Sequence, residues 1–226
     1  MTLIVPRTKI CGVTRPADLE VLAAAGTDCV GLNFVSSSKR RVSLEDGQRL
    51  SSTASKLGLK VAAVVMDMPE DELAQLVEAV PVDFLQLHGS ERPEVLEGLR
   101  KPLPIIKALS WSGRDAEQQL ATQWNGVPSL VAFLVDAFAP GVGGGTGKTV
   151  RWDLLSPRPD ALSRLPLILA GGLKPENVAQ AIAIAQPHGV DTASGVETQP
   201  GIKDDSMVHA FTKNAQAALR VGCNQG

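Results

Sequence analysis

Leu130 to Trp152 reads L-V-A-F-L-V-D-A-F-A-P-G-V-G-G-G-T-G-K-T-V-R-W, and the fold turns on what this stretch is. Leu130 to Val135 is a short run of aliphatic and aromatic residues, the composition of a strand buried on both faces. Asp136 ends it. The glycines that follow, up to Gly147, let backbone approach a ligand closely, so a carboxylate stands at a strand terminus beside a permissive loop. Gly-Gly-Thr-Gly-Lys-Thr also suggests a phosphate-binding P-loop, but that motif needs a glycine five positions before Gly147, where the chain has Val142. The competing reading is a loop of a β/α barrel with Asp136 as its acid.

The chain has 226 residues, 44% of them hydrophobic, and a formal net charge of −2. That is enough for one α/β domain with a sizeable core. No global basic field is present to draw nucleic acid or anionic membrane. The N-terminal apolar patch is too short for a signal sequence, and no apolar run reaches the length of a membrane span, so the cytoplasm is the expected location. Cys11, Cys29 and Cys223 are scattered, without metal or redox spacing, and read as free thiols.

Outward from the opening stretch, short apolar runs alternate with amphipathic segments. Strands are expected at Thr8 to Gly12, Cys29 to Phe34, Leu59 to Met66, Val82 to Leu87, Pro104 to Leu109, Leu130 to Val135, Leu167 to Ala170 and Val190 to Ala193. Between them, helices are expected from Ala17 to Ala25 after a Thr14 cap, from Ser43 to Lys56, from Glu70 to Val80, from Ser90 to about Leu99, and from Arg114 to Trp124. After the sixth strand only short pieces, Trp152 to Leu155 and Asp160 to Leu165, separate it from the seventh. Further helices run to Ala185 and from about Asp204 to Leu219, the last with apolar spacing at Val208, Phe211, Ala215 and Leu219.

Eight pairs predict a single (β/α)8 TIM barrel over residues 1–226, with residues 1–7 as a short N-terminal lead. An open doubly wound sheet would gather its site at one switch point. Here Cys11, Asn33, His88, Asp136, Gly171 and Ser194 each follow a different strand, as they do when one end of a closed barrel forms the site. Glycine-rich turns after the last two strands suit a phosphate held by backbone N–H groups.

The segments K-I-C-G-V-T-R (Lys9 to Arg15), S-K-R-R-V (Ser38 to Val42), D-F-L-Q-L-H-G (Asp83 to Gly89), Asp136 with G-G-T-G-K-T beyond it, L-A-G-G-L-K-P-E-N-V (Leu169 to Val178) and D-T-A-S-G-V-E (Asp191 to Glu197) together closely resemble the phosphoribosylanthranilate isomerase family. The resemblance covers essentially the whole chain. It implies an Amadori rearrangement of N-(5-phosphoribosyl)anthranilate in tryptophan biosynthesis, without cofactor or metal. It also implies Cys11 as general base and Asp136 as general acid. Arg40 would take the anthranilate carboxylate, and Lys9, Gln86 and His88 would line the substrate site. Gly171, Gly172, Ser194 and Gly195 would cradle the phosphate, with Gly145, Thr146 and Gly147 in a rim loop that closes over substrate. Lys9, two residues before Cys11 on one strand, is expected to favour the thiolate. The only partner expected is the phosphosugar-anthranilate substrate; a monomer is one expectation, and the sequence does not fix the oligomeric state.

Two other functions share parts of this pattern. An indole-3-glycerol-phosphate synthase would act on the same substrate class but wants a lysine and glutamate set. A noncatalytic phosphosugar-binding barrel would keep the phosphate turns without needing Cys11 and Asp136 together.

Overall fold

The computed structural model describes residues 5–136 and 151–222. Eight parallel strands close into a barrel in chain order. They are β1 (Thr8–Cys11), β2 (Cys29–Asn33), β3 (Lys60–Val65), β4 (Phe84–Leu87), β5 (Ile105–Ser110), β6 (Leu130–Asp136), β7 (Leu167–Ala170) and β8 (Gly189–Thr192). β1 closes the barrel by pairing with both neighbours, Lys9 opposite Cys29 on one side and opposite Asp191 on the other.

Alternation along the strands produces two separate cores. Ile10, Val30, Leu32, Val61, Ala63, Leu85, Leu87, Phe133, Leu167 and Val190 point outward into the layer between barrel and helices. Cys29, Ala62, Phe84, Ile106, Ala132, Leu134 and Ile168 point inward and fill the lower barrel, with Val5 packed against them. Each fully buried Val, Leu, Ile or Phe among them contributes roughly 1.5–3 kcal/mol. The inward positions further along the same strands, Cys11, Asn33, Val64, His88, Asp136 and Asp191, are those that reach the mouth.

The outer layer comprises α1 (Pro16–Ala24), α2 (Leu44–Lys56), α3 (Glu70–Ala79), α4 (Asp115–Trp124), α5 (Val178–Ala185) and α6 (Asp205–Gly222). Ser43 caps α2 as its sequence suggests, its hydroxyl accepting from the Asp46 N–H at 3.0 Å. In α6, Val208, Phe211, Ala215 and Leu219 are all buried, so the apolar stripe read from their spacing is the packed face.

Three local expectations change. Thr14 does not cap α1: its hydroxyl donates to the Gly201 carbonyl at 2.7 Å, and the helix starts at Pro16, whose fixed φ suits a first turn. The segment after β4 is not a helix to Leu99 but one 3-10 turn, Pro93–Leu96. Glu91, instead of opening a helix on the surface, folds back into the barrel–helix layer. There its carboxylate accepts from the N–H groups of Asp67 and Gly89 and from Lys107 Nζ at 2.7 Å. The chain between β8 and α6 contains an antiparallel hairpin that hydrophobic periodicity did not reveal, β9 (Glu197–Gln199) with β10 (Ile202–Lys203).

Candidate active site

The mouth of the barrel holds a cavity of about 360 Å³ lined by residues from seven different strands or the loops that follow them. Cys11 ends β1 and Asp136 ends β6, and both line it. Arg40 reaches the cavity from the loop after β2, His88 from the residue after β4, Gly171 and Gly172 from the turn after β7, and Ser194 from the turn after β8. Residues scattered over 184 positions, Cys11 to Ser194, thus face one space.

Around Cys11 the charges are arranged in layers. Lys9 Nζ is fully buried and donates to Asp191 Oδ1 at 3.0 Å. A Cβ added at Gly31 would lie 2.7 Å from Cys11 Sγ and 3.1 Å from Lys9 Nζ, so the thiol and the ammonium are close neighbours, and only glycine leaves them room. Burial works against the Lys9 charge, but Asp191 and the two nearby thiols hold its pKa well above the ordinary lysine value. For Cys11 burial is the largest influence and raises the pKa; Lys9, Lys203 and Arg40 pull it down without overcoming that. The expectation that Lys9 favours the thiolate therefore holds for its own contribution and fails for the net shift. Lys9 lies under the pocket, not on its lining, and the same is true of Gln86.

Gln86 lies 2.8 Å from His88 Nδ1 through its side-chain nitrogen. With the amide as the donor, Nδ1 accepts and the ring proton sits on Nε2. Burial lowers the His88 pKa, and the nearby Lys9 lowers it further. A neutral imidazole is thus presented at the cavity wall.

The turn after β7 requires its glycines. Gly171 and Gly172 have φ of +89° and +63°, which side chains on Cβ disfavour, and both open their backbone to the cavity. Asn177 braces this turn, donating to the Gly172 carbonyl at 3.0 Å and accepting from the Lys174 N–H at 2.8 Å. Thr192 ties it to β8, its hydroxyl donating to the Leu173 carbonyl at 2.7 Å. Gly195 sits behind Ser194, where a Cβ would run into that same Leu173 carbonyl. It serves the closeness of the two turns and is not on the lining. Successive backbone N–H groups of this kind make an anion-binding concavity.

The family model for N-(5'-phosphoribosyl)anthranilate (PRA) isomerase matches residues 8–214. This chain belongs to the PRA isomerase family. It is 40% identical to the N-(5'-phosphoribosyl)anthranilate isomerase of Myxococcus xanthus (strain DK1622) over 211 residues, 93% of this chain and 96% of that one. To the enzyme of Pseudomonas fluorescens (strain Pf0-1) it is 40% identical over 205 residues, covering 91% and 96%. Among solved structures, the phosphoribosyl anthranilate isomerase of Thermotoga maritima superposes with a TM-score of 0.81 at 33% identity, covering 94% of this chain and all of that one. A PRA isomerase structure in complex with reduced 1-(o-carboxyphenylamino)-1-deoxyribulose 5-phosphate superposes with a TM-score of 0.78 at 31% identity.

In this PRA isomerase family member, sequence reasoning missed three buried charges near or at the mouth: Asp191, Glu197 and Lys203. Asp191 lines the cavity. Arg40 is held in a fork by Glu197, Nε donating to Oε1 at 2.8 Å and Nη2 to Oε2 at 2.5 Å. Lys203 Nζ donates to Glu197 Oε1 at 2.8 Å and to the Cys11 carbonyl at 2.6 Å. Asp191 and Glu197 were both in view as the ends of the D-T-A-S-G-V-E segment, but only the partners across the fold give them a role. The rim residues Gly145, Thr146 and Gly147 lie outside the described residues. Among the described residues no group of three His, Cys, Asp or Glu side chains is placed to hold a metal ion, and no helix is long and apolar enough to cross a membrane.

Proposed function

We propose that the chain carries out the family's isomerisation with Asp136 as general acid and Cys11 as general base. Asp136 delivers a proton to the furanose oxygen as the C1–O bond breaks, and the anthranilate nitrogen lone pair forms the C1=N Schiff base. Cys11 then removes the proton from C2. The C2–H electrons become the C1=C2 bond, and the C=N electrons return to nitrogen, which serves as the sink. The enolamine takes a proton at C1 and loses the hydroxyl proton at C2 to give the ketone, 1-(2-carboxyphenylamino)-1-deoxyribulose 5-phosphate. Positioned proton transfers of this type each contribute about 10²–10⁴-fold.

The observation that carries this reading is that one thiol from β1 and one carboxylate from β6 line a single cavity that also contains the paired glycines of the β7 turn. Arg40 binds the anthranilate carboxylate, and the turns bearing Gly171, Gly172 and Ser194 bind the phosphate. The neutral His88 suits a hydrogen bond to the ribose hydroxyls. Lys9 and Gln86 act from beneath the lining, on Cys11 and His88. We read the chain as a cytoplasmic, monomeric enzyme that uses no cofactor, because the substrate nitrogen supplies the electron sink.

The test generates the unstable substrate in situ and follows loss of anthranilate-type fluorescence. Wild type is expected to turn over, and Cys11→Ala and Asp136→Ala to lose activity by about 10²–10⁴-fold. A silent wild type, or variants with full activity, would refute the reading. With Cys11 as the base, burial of its thiol should put the rising limb of kcat/KM above the ordinary cysteine value of 9.0, and a limb well below that value would count against the assignment. Because kcat reports the bound state, the cationic Schiff base beside the thiol should move the limb in kcat to lower pH.

A further inference from the structure

Arg40, Glu197 and Lys203 bring two positive charges and one negative charge into one cluster at the edge of the cavity. Glu197 and Lys203 side chains are almost fully enclosed, at 3% and 0% exposure, whereas Arg40 keeps 23%. Glu197 is not on the cavity lining; Arg40 is. The stem of Arg40 lies across Gly12, where an added Cβ would strike it.

A guanidinium has five N–H donors on two usable edges. Glu197 occupies the side edge formed by Nε and Nη2. Among the described residues no other side chain or carbonyl hydrogen-bonds to the guanidinium. The end edge, formed by Nη1 and Nη2, is left with two parallel donors at the right spacing for a planar carboxylate. Glu197 is itself fixed by three donors, Arg40, Lys203 Nζ and the Gly201 N–H at 3.2 Å. Lys203 ties the cluster to the main chain of Cys11.

We propose that Glu197 is a positioning residue for substrate specificity: by filling one edge of Arg40 and leaving a net positive charge on the cluster, it aims the other edge at the aromatic carboxylate of the substrate. The proposal rests on the assignment of Arg40 above. Glu197 touches no substrate, and its influence runs entirely through Arg40. The hairpin of β9 and β10, outside the barrel, is then part of the device that selects the carboxylated aniline, with Lys203 holding the carboxylate of Glu197 in register with the end of β1.

Calorimetry with two ligands tests this: the reduced, non-isomerising product analogue that carries the ring carboxylate, and the same molecule without it. Wild type should prefer the carboxylated ligand by roughly 10–100-fold, the range of a charge-assisted bidentate pair. Glu197→Gln should bring the preference to within about 3-fold by weakening only the carboxylated ligand, and Glu197→Asp should restore part of it. Equal weakening of both ligands by Glu197→Gln, or an unchanged preference, would overturn the proposal. A wild type with no preference would overturn it together with the role of Arg40, and that result appears before any substitution is made. If Glu197→Gln does not fold, Glu197→Asp preserves the charge count but draws the carboxylate back by one methylene; full preference in that variant would equally overturn the proposal.

Discussion

The lower and upper halves of the barrel interior are built from the same eight strands and behave as different media. Below, Ala62, Phe84, Ile106, Ala132, Leu134 and Ile168 close on one another with almost no exposure. Above, two to four residues further on, the inward side chains are Cys11, Asn33, His88, Asp136 and Asp191. The floor obtains its stability from apolar burial, which needs no particular partner. The mouth is held by specific pairs, and a pair is costly when only one member is present. Stability and chemistry therefore occupy opposite ends of the same strands.

The largest effect expected is in the mouth. Cys11→Ser should lower kcat by about 10³-fold or more, with a melting temperature close to that of wild type, because a serine hydroxyl fills the site but is a far weaker base. A matching fall in stability would erase the contrast between the two halves. Next comes Lys9→Met, which leaves Asp191 buried without its cation and should cost about 3–5 kcal/mol in denaturant unfolding. Adding Asp191→Leu should recover most of that stability and none of the activity. A double variant as unstable as the single one would mean that the pair stabilises the barrel in its own right.

On the floor, Leu134→Ala should cost about 2–5 kcal/mol while leaving kcat/KM of the folded fraction within roughly a few-fold of wild type. A disproportionate loss of kcat would show that the floor sets the mouth's geometry. The smallest effect is in pH. His88 is held below its ordinary 6.5 and Glu197 below its ordinary 4.5, chiefly by burial for the first and by its Arg40 and Lys203 bonds overcoming burial for the second. In both cases the unfolded chain takes up a proton before the folded one as pH falls. Stability contributed by His88 is present above pH 6.5 and is lost below it, and that of Glu197 is present above 4.5 and is lost below it. His88→Gln should flatten the first decline in urea titrations between pH 7 and 5, and an unchanged slope would remove His88 from the account.

The same contrast explains what could be read without coordinates. Floor and outer layer were legible because Leu130 to Val135 or Leu167 to Ala170 must be apolar wherever they pack, and period-two alternation sorts them. That Cys11 and Asp136 face one cavity was legible from their positions at strand ends. Lys107, Lys203 and Glu91 were not, since a lysine or glutamate in sequence looks like a surface residue, and what makes each of these interior is a partner elsewhere. Lys203 meets Cys11 192 positions away, and Lys9 meets Asp191 across 182. The helix expected after β4 failed for this reason: the carboxylate of Glu91 is drawn into the layer where Lys107 lies over the Trp124 ring at 5.8 Å. The β9–β10 hairpin is too short for any periodicity to register.

The central claim is that ring opening and isomerisation belong to separate groups, Asp136 on β6 and Cys11 on β1. Borodeuteride added during turnover of in situ substrate reduces the open Schiff base to a stable secondary amine with deuterium on C1, which mass spectrometry distinguishes from the reduced ketone product, labelled on C2. With Cys11→Ala the trapped amine should rise well above the level without enzyme, because the ring is opened and the next proton is not removed; with Asp136→Ala it should stay at that level. Equal trapping in the two variants, or none above background with Cys11→Ala, would contradict the division of labour.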